Sequence, residues 1–337
     1  MKIAINGFGR IGRVLTRVLF EAYDNEQLEN VELVAINDLA DIKTLAHLFK
    51  YDSVHGQFKG EIEVAENSIY INGREVQFLQ ERNPESLPWA ELGIDLVVES
   101  TGFFREIEDA RLHIKSGAKK VMISAPPKGK CKTIVLGIND HILTEDDEVF
   151  SNASCTTNCA APMIHLLDKH FEIEQAFITT VHSYTGDQKL HDAPHQDLRR
   201  ARAAAYSIDP TTTGDAKAIT KIFPDLEGKI GGCGIRVPVP DGSLTDITCH
   251  VKKSTTIEEV NEIFKQASEN DLKGILGYTS DPIVSIDIVG SPYSCVFDEA
   301  LTSVINGSLV KIVGWYDNEA GYSNRLADMI GQLSKMA

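Results

Sequence analysis

Cys155 stands among hydroxyl and amide side chains in residues 151–159, a setting that suits a nucleophile. Ser154 and Thr156 are residue types that favour a helix start, and the residues after Cys159 carry apolar side chains at helical spacing. Cys155 is therefore expected at a helix N-terminus, where unpaired N–H groups and the helix dipole lower the pKa of a thiol from about 8.5 toward neutrality. The same hydroxyls and N–H groups form a candidate anion or oxyanion site.

A second interpretation of Cys155 is a buried structural cysteine in a helix cap, because free cysteine is among the most buried residue types. The surrounding polar donors, more numerous than one cap uses, favour the nucleophile. Cys159 lies one helical turn further on and could resolve an oxidised Cys155, but we interpret it as a small core residue.

His182 is the candidate base for this cysteine. It lies near the end of a predicted long strand, residues 175–183, and a strand that follows a helix can return beside the N-terminus of that helix. His182 could then act on Cys155 as a base and later as an acid. The alternative is an ordinary hydrogen-bonded histidine without a catalytic role.

A dinucleotide-binding pattern opens the chain. Residues 2–6 predict a buried strand, the glycine motif G-x-G-x-x-G follows at 7–12, and a helical pattern comes next, in the order that places a pyrophosphate at a helix N-terminus. A second strand, 31–37, ends at Asp38, whose carboxylate can bind the adenosine ribose hydroxyls and repel a 2′-phosphate. The pattern favours NAD over NADP; the alternative is a structural glycine turn with an acid there by chance.

Further elements complete an α/β fold of two parts. Alternation around Asn72-Gly73 predicts an antiparallel hairpin, and 95–100 and 120–124 predict parallel strands, with Thr101-Gly102 and Ala125-Pro126 at the C-terminal ends where such sheets bind ligands. This first domain should close near residue 150. The second half predicts an α+β domain with a helix at 257–267 and strands at 243–251, 285–289, 294–297 and 309–316.

Arginines and a second helix start supply candidate anion sites. The long polar stretch 184–209 contains Arg199, Arg200 and Arg202, which could bind an anionic substrate, pair with acids across a subunit contact, or form a solvated charge run. Residues 210–214 are hydroxyl-rich and precede a helical pattern. Arg236 lies within an otherwise apolar strand and needs a partner such as a phosphate or carboxylate.

Composition excludes several functional classes. The 337 residues suffice for two domains, and the formal charge of −16 argues against binding of nucleic acid or an acidic membrane. There is no apolar run long enough to span a membrane and no signal-peptide pattern, so we expect a cytoplasmic protein. The six cysteines form no C-x-x-C pair, which predicts reduced thiols and no metal site.

Five segments, taken together, identify a family resemblance. They are AINGFGRIGR at 4–13, SNASCTTNC at 151–159, HSYT at 182–185, DLRRARAAA at 197–205 and WYDNE at 315–319. With them the chain resembles the phosphorylating glyceraldehyde-3-phosphate dehydrogenases over essentially its full length. The resemblance implies an NAD-binding Rossmann domain (1–153, completed by helix 319–337), a catalytic domain with a mostly antiparallel sheet (154–318), and a homotetramer.

The resemblance also implies an activity and a set of site residues. The activity is the NAD-dependent oxidative phosphorylation of glyceraldehyde 3-phosphate to 1,3-bisphosphoglycerate through a cysteine thioester, a step of glycolysis. Cys155 would be the nucleophile and His182 the base. The substrate phosphate would be held by Thr185, Asp187, Arg200 and Arg236, and inorganic phosphate by Ser154, Thr156, Thr213 and Gly214. The cofactor would be held by Gly7, Phe8, Gly9, Arg10, Ile11, Gly12, Asp38, Leu39, Arg82, Thr101, Ser124 and Asn318.

Further positions bear on specificity. Leu39 and Pro194 match residues that leave no room for a 2′-phosphate, whereas Asp209, Asp215 and Ala320 are unusual for the family, and Asp215 directly follows the proposed phosphate site. The alternatives are an erythrose-4-phosphate dehydrogenase, a non-catalytic NAD-binding protein and a redox sensor. The intact segments 182–185 and 210–214 favour the glyceraldehyde 3-phosphate activity over that of the erythrose 4-phosphate relative. Asn318 could instead cap the last helix.

Overall fold

The computed structural model describes residues 1–28, 30–211 and 214–336, with the backbone but not the side chains of 215 and 216. The chain divides into two compact units. The first comprises Met1–Ile134, His141–Ala153 and the residues from Ser323 onward, and the second comprises Val135–Asp140 and Ser154–Tyr322.

The first unit is built on a mixed, mainly parallel sheet with helices between its strands. Its elements are β1 (Lys2–Asn6), α1 (Arg10–Asp24), β2 (Glu32–Asn37), α2 (Ile42–Lys50), β3 (Tyr51–Asp52), β4 (Gly56–Gln57), β5 (Ile62–Val64), β6 (Ser68–Ile71), β7 (Arg74–Leu79), α3 (Trp89–Leu92), β8 (Leu96–Glu99), α4 (Ile107–Ala110), α5 (Leu112–Lys115), β9 (Lys120–Ile123), β10 (Lys132–Thr133) and β11 (Val149–Ser151). The sheet order is β10-β11-β9-β8-β1-β2-β7-β6-β5, and β3 pairs separately with β4.

The order of strands in this sheet creates a ligand-binding edge. Strand β1 lies between β2 and β8, and all three strands are parallel. The chain places β2 and β5–β7 on one side of β1 and then crosses to the other side to form β8. Open α/β sheets bind ligands at the carboxyl ends of the strands where the order reverses, and Gly7 and Ser100 follow β1 and β8 at that point.

The hairpin predicted around Asn72-Gly73 is confirmed. Strands β6 and β7 pair antiparallel, and the two turn residues have positive φ values of 48° and 74°. Positive φ at both central positions defines a type I′ turn, whose twist matches that of the two strands.

The second unit contains a mostly antiparallel sheet, as the family resemblance implies. Its elements are α6 (Cys155–Phe171), β12 (Ile173–Ser183), β13 (Asp209–Thr211), α7 (Asp215–Ile222), β14 (Ile230–Val237), β15 (Ser243–Val251), α8 (Ile257–Glu269), β16 (Leu276–Thr279), β17 (Cys295–Asp298), β18 (Ser303–Ile305) and β19 (Leu309–Tyr316). The order is β13-β14-β12-β15-β19-β17-β16, with β18 on β19; the pairs β12–β14 and β16–β17 are parallel. The last helix, α9 (Ala320–Met336), begins in this unit and ends in the first.

One predicted strand is wrong. Residues 285–289 were expected to be extended, but Ser285–Ile288 form a short 3₁₀ helix. The side chain of Asp287 accepts a hydrogen bond from the N–H of Val284 at 2.8 Å, and this local bond takes the place of a strand pairing. Ile286 is exposed while Ile288 is buried, so the apolar residues do not share one face of a strand.

Further 3₁₀ helices cover Pro84–Ser86, Asp140–Ile142, Pro224–Leu226 and Glu299–Leu301. Within residues 1–28, 30–211 and 214–336, no helix has both the length and the apolar character needed to cross a membrane.

Candidate active site

Cys155 is the first residue of α6, and His182 approaches it from the end of β12. The Cys155 Sγ and the His182 Nε2 are 3.4 Å apart, which is hydrogen-bonding range for sulfur. Ser154 caps the helix: its Oγ accepts a bond from the Thr157 N–H at 2.9 Å. The predicted position of Cys155 at a helix N-terminus is therefore confirmed, and strand β12 does bring His182 back beside it.

The other nitrogen of His182 determines its tautomer. His182 Nδ1 lies 2.7 Å from the carbonyl oxygen of Ser183, which can only accept a hydrogen bond. Nδ1 therefore carries the hydrogen and Nε2 presents a lone pair toward Cys155. Arg236 Nη1 lies 3.2 Å from the same carbonyl oxygen, so its 3.0 Å approach to Nδ1 is a close contact between two donors that share one acceptor.

His182 is neutral when Cys155 is a thiol. Burial lowers the pKa of His182 to about 3, and the positive charges of Arg236 and Arg200 contribute to the lowering. A neutral imidazole can accept a proton. Loss of the thiol proton would place a negative sulfur 3.4 Å from Nε2 and favour the imidazolium, so the two groups exchange one proton as a pair.

Tyr316 supports both partners, and the sequence interpretation overlooked it. Its hydroxyl is hydrogen-bonded to the hydroxyls of Thr156 at 2.8 Å and Thr180 at 2.9 Å, and its ring meets the His182 ring edge-on with centroids 5.9 Å apart. Thr156 lies next to Cys155, so this buried tyrosine links the helix start to the histidine. The only signal in the sequence was its place within the conspicuous segment 315–319.

The candidate inorganic-phosphate residues are only partly described. Ser154 and Thr156 both lie at the start of α6, and both use their hydroxyls within the protein. Gly214 is the N-cap of α7, and a Cβ added there would meet no atom of the described residues within 4 Å. Thr213 and the side chain of Asp215 lie outside the described residues.

Arg200 and Asp187 are paired within the long polar loop. Arg200 Nη1 donates to Asp187 Oδ2 at 2.8 Å, and Arg200 Nε donates to Thr211 Oγ1 at 3.2 Å. Partial burial alone would raise the pKa of Asp187, but the hydrogen bonds from Arg200 and His195 and the positive charge of these two groups together outweigh it and lower that pKa. Asp187 is therefore ionised at neutral pH, which suits it to orient Arg200 rather than to contact a phosphate.

The unusual acid Asp209 has a structural role in the same loop. It is buried and accepts a bond from Gln188 Nε2 at 2.9 Å, while Gln188 Oε1 accepts from the Thr185 N–H at 3.3 Å. The carboxylate thus orients the glutamine that braces Thr185. Most of the 184–208 segment is irregular, as predicted.

Asn318 is oriented by two serines. Its Oδ1 accepts hydrogen bonds from the hydroxyls of Ser183 and Ser243, both at 2.8 Å. The helix-capping alternative is wrong, because Asp317 accepts bonds from the N–H groups of Glu319 and Ala320, each at 2.7 Å. Ser243 was not identified from the sequence, since nothing in a strand pattern marks a serine that bonds across to another segment.

The glycine loop in the first unit has room for a pyrophosphate. Among the residues that the structure describes, none has an atom within 4 Å of a Cβ added to Gly9, so this residue leaves its backbone open to a ligand, whereas a Cβ on Gly7 would lie 2.7 Å from Thr101 N. A Cβ on Gly12 would lie 2.2 Å from the Gly7 carbonyl oxygen. The first and third glycines therefore allow close packing, and the second allows close approach of a ligand, which is how the motif binds dinucleotides.

A cavity of about 500 Å³ opens beside this loop. The residues that line it are Asn6, Gly7, Gly9, Asn37, Asp38, Leu39, Glu81, Arg82, Ser100, Thr101, Phe103 and Phe104. Asp38 is held by two backbone donors, the Phe8 N–H at 2.7 Å and the Ala40 N–H at 2.9 Å. Its carboxylate lies where the sequence predicts an acid that reads the ribose.

Other members of the proposed cofactor set do not line this cavity. Phe8 is buried and contacts the ring of Phe49, and Arg10 forms a bidentate ion pair with Asp52. Ile11 is half-buried in the first turn of α1. Ser124 donates from its N–H and its hydroxyl to the carbonyl oxygen of the last residue of β8.

Comparisons with known proteins agree in one family. Residues 1–107 match a family model described as the NAD-binding domain of glyceraldehyde 3-phosphate dehydrogenase, and residues 154–318 match its C-terminal domain. The chain is 53% identical to glyceraldehyde-3-phosphate dehydrogenase 2 of Streptomyces avermitilis, with 98% of this chain and 97% of the relative covered. It is 53% identical to the glyceraldehyde-3-phosphate dehydrogenase of Thermotoga maritima (99% of each covered) and 51% identical to that of Geobacillus stearothermophilus (99% and 98%).

Proposed function

Because the chain belongs to the glyceraldehyde-3-phosphate dehydrogenase family, we propose that it oxidises glyceraldehyde 3-phosphate with NAD and phosphate to 1,3-bisphosphoglycerate, through a thioester on Cys155. The observation that carries the chemistry is the 3.4 Å pairing of the Cys155 Sγ with a buried, neutral His182. A nucleophile beside its base is the minimum requirement for covalent catalysis.

The first step uses Cys155 and His182 alone. His182 Nε2 takes the thiol proton, the sulfur attacks the aldehyde carbon, and Nε2 returns that proton to the former carbonyl oxygen, which becomes the hydroxyl of a hemithioacetal. Nε2 then accepts the hydroxyl proton of the hemithioacetal as the carbon loses hydride and becomes a thioester. NAD supplies the two-electron acceptor for this oxidation. Inorganic phosphate attacks the thioester, and the thiolate leaves.

Arg200 in the polar loop and Arg236 in β14 are the candidate positive charges that bind the substrate phosphate. We assign Arg200, Arg236 and Thr185 to its binding, with Asp187 orienting Arg200 through their 2.8 Å hydrogen bond. Two arginines suit a dianion because each guanidinium offers paired N–H donors. Ser154, Thr156, Thr213 and Gly214 remain the proposed inorganic-phosphate set. Asn318 is proposed to bind the nicotinamide amide, with Ser183 and Ser243 setting the direction of its own amide.

We also propose the assignment of domains and the assembly. Residues 1–153 with 319–337 would form the NAD-binding domain, and 154–318 the catalytic domain. We propose a cytoplasmic homotetramer because the family resemblance implies one. The exposed apolar side chains of Leu190, Leu198 and Tyr206 on the polar loop are candidates for a subunit contact.

Phosphate dependence tests the reaction type. NADH formation from glyceraldehyde 3-phosphate should be sustained when inorganic phosphate is present and should fall to a single turnover per site, followed by slow hydrolysis, when it is absent. The reason is that a bound phosphate is held in position to attack the thioester carbon, whereas free water is not. Steady turnover that ignores phosphate and runs faster on erythrose 4-phosphate would instead indicate the relative, and absence of any NADH would indicate a non-catalytic or redox-sensing protein.

Cofactor choice tests the role of Asp38. NAD should exceed NADP in kcat/KM by at least about 100-fold, because a like charge facing the 2′-phosphate costs several kcal/mol. Replacing Asp38 by Asn should narrow this ratio mainly by improving NADP. The half-exposed side chain of Leu39, 50% accessible, adds bulk beside the carboxylate, so the D38N variant should not reverse the preference. Comparable kcat/KM for both cofactors in the wild type would overturn the assignment.

A further inference from the structure

A buried carboxylate lies directly behind the cofactor cavity of the first unit. Glu99, the last residue of β8, is 1% exposed. Its Oε1 accepts hydrogen bonds from the Thr101 N–H at 2.8 Å and from the Thr101 hydroxyl. Its Oε2 accepts from Asn6 Nδ2 at 2.6 Å and lies 3.2 Å from His113 Nε2. Four donors thus converge on one side chain, and Asn6 and Thr101 both line the cavity.

The 3.2 Å distance between His113 Nε2 and Glu99 Oε2 would also fit an ion pair, but the contact is a hydrogen bond from a neutral imidazole. His113 Nδ1 accepts the indole N–H of Trp89 at 2.9 Å, and an indole N–H can only donate. Nδ1 therefore carries no hydrogen, and Nε2 donates to Glu99. The buried negative charge is stabilised by neutral donors, and His113 cannot change its tautomer without leaving the Trp89 N–H unpaired.

Asn6 is equally unable to reverse its amide. Its Oδ1 accepts from Asn37 Nδ2 at 2.7 Å. Asn37 is in turn held by both backbone groups of Glu81: its Nδ2 donates to the carbonyl oxygen at 2.8 Å, and its Oδ1 accepts from the N–H at 2.9 Å. The ends of β1 and β2 and the segment that leads to Arg82 are therefore joined to Glu99 in one directed network.

This network reaches the glycine loop. Ser100 donates its N–H to the carbonyl oxygen of Asn6 at 2.8 Å and its hydroxyl to that of Gly7 at 2.7 Å. Gly7 has no room for a Cβ because the backbone N of Thr101 would be 2.7 Å away. Glu99 holds that same backbone N–H, so its position determines how closely the two loops pack.

We propose that Glu99 is a positioning residue for NAD: its charge directs the amide of Asn6 and the backbone of Thr101, and thereby sets the shape of the glycine loop and of the cavity floor. Only an ionised carboxylate accepts hydrogen bonds at both oxygens at once, from Thr101 at Oε1 and from Asn6 and His113 at Oε2. An amide of the same size would present its NH₂ group to N–H donors on one side, and neither His113 nor Asn6 can adjust. The proposal rests on NAD as the cofactor and adds a residue that touches it only through others.

The test is the dissociation constant for NAD, measured by calorimetry on protein freed of cofactor. Glu99→Gln should weaken NAD binding by about tenfold or more, because at least one buried donor loses its acceptor. Alkylation of Cys155 by iodoacetamide in the absence of NAD should be unchanged. Glu91→Gln is the matched control: Glu91 is exposed in the same unit, so it makes the same charge change and should leave the affinity unaltered.

A rescue variant separates positioning from general damage. In Glu99→Gln with Asn6→Asp, the new carboxylate at position 6 can accept from Asn37, from His113 Nε2 (3.3 Å from the present Asn6 Nδ2) and from the glutamine, whose oxygen faces Thr101. The double variant should therefore recover affinity to within about threefold of wild type, whereas Asn6→Asp alone should lose it by placing two carboxylates together.

The outcomes are distinct. Wild-type affinity in Glu99→Gln, or a double variant that folds or binds no better than Glu99→Gln, overturns the role of Glu99. If Glu99→Gln does not fold, recovery of both fold and affinity in the double variant supports the role. Failure of the wild type itself to bind NAD would instead contradict the cofactor.

Discussion

Replacing Cys155 by serine is expected to abolish NADH formation and leave NAD binding unchanged. A serine hydroxyl supplies almost no alkoxide at neutral pH, and a neighbouring neutral imidazole cannot offset that difference for a thioester mechanism. We expect a loss of at least about 1,000-fold in kcat, in line with removal of other nucleophiles. The glycine loop belongs to the first unit, whereas Cys155 belongs to the second, so calorimetric NAD affinity should persist. The measurement is initial NADH formation at saturating glyceraldehyde 3-phosphate and phosphate.

Cys159→Ser is the matched control for that variant. Cys159 lies in the same helix, is fully buried, and its thiol donates to the carbonyl oxygen of Gly314 at 3.7 Å. Replacing the Cys159 sulfur by oxygen shows how much a hydroxyl group inside α6 destabilises the protein, while the reacting sulfur of Cys155 is left intact. Activity within a few-fold of wild type is expected. More than a few per cent of turnover in Cys155→Ser would show that another group is the nucleophile.

Replacing His182 by asparagine is expected to lower kcat by about 100- to 10,000-fold, the usual contribution of a positioned base. Asparagine can hydrogen-bond to the sulfur and to the Ser183 carbonyl oxygen but cannot accept a proton, so hydride formation loses its base. Pre-steady-state NADH formation measures this step directly. His165→Asn is the matched control, because His165 is a half-buried histidine on α6 that stacks on Phe223. Equal rates for the His182 variant and wild type would contradict the assignment.

The same variant should change the stability of the protein toward acid. The pKa of His182 is lowered by burial from 6.5 to about 3. As pH falls below 6.5, the unfolded chain binds a proton at this site and the folded chain does not, so the free energy of unfolding decreases down to about pH 3. His182→Asn removes this contribution. Its free energy of unfolding should therefore depend less steeply on pH in that window, measured by urea denaturation.

Local patterns in the sequence determined the elements that carry the chemistry. The glycine motif predicted a strand, a tight loop and a helix, because glycine is the residue that permits close backbone packing, and β1 and α1 follow that order. The hydroxyl-rich start of α6 predicted a helix with Cys155 at its N-terminus, because capping depends on residues within one turn. The turn at Asn72-Gly73 is equally local, since both residues tolerate a positive φ.

Side-chain pairing was decided only by the packed structure. Asp287 accepts a hydrogen bond from the Val284 N–H, three residues earlier, where a 3₁₀ helix replaces the predicted strand, and apolar periodicity does not anticipate even a local bond of this kind. The side chain of Arg10, a residue of the glycine motif, forms an ion pair with Asp52, which lies 42 positions away in the sequence. Asp187 reads in sequence as part of a phosphate site but is bound to Arg200.

The supports behind the site were also invisible in sequence. Tyr316, Ser243 and Glu99 act through side chains that meet their partners from distant strands, and each would pass in a strand pattern for an ordinary core or polar residue. Features that depend on one turn of backbone, such as the cap at the start of α6, can be predicted from neighbouring residues. The direction of a buried hydrogen bond depends on which atoms the fold brings within about 3 Å, and only the packed chain determines that.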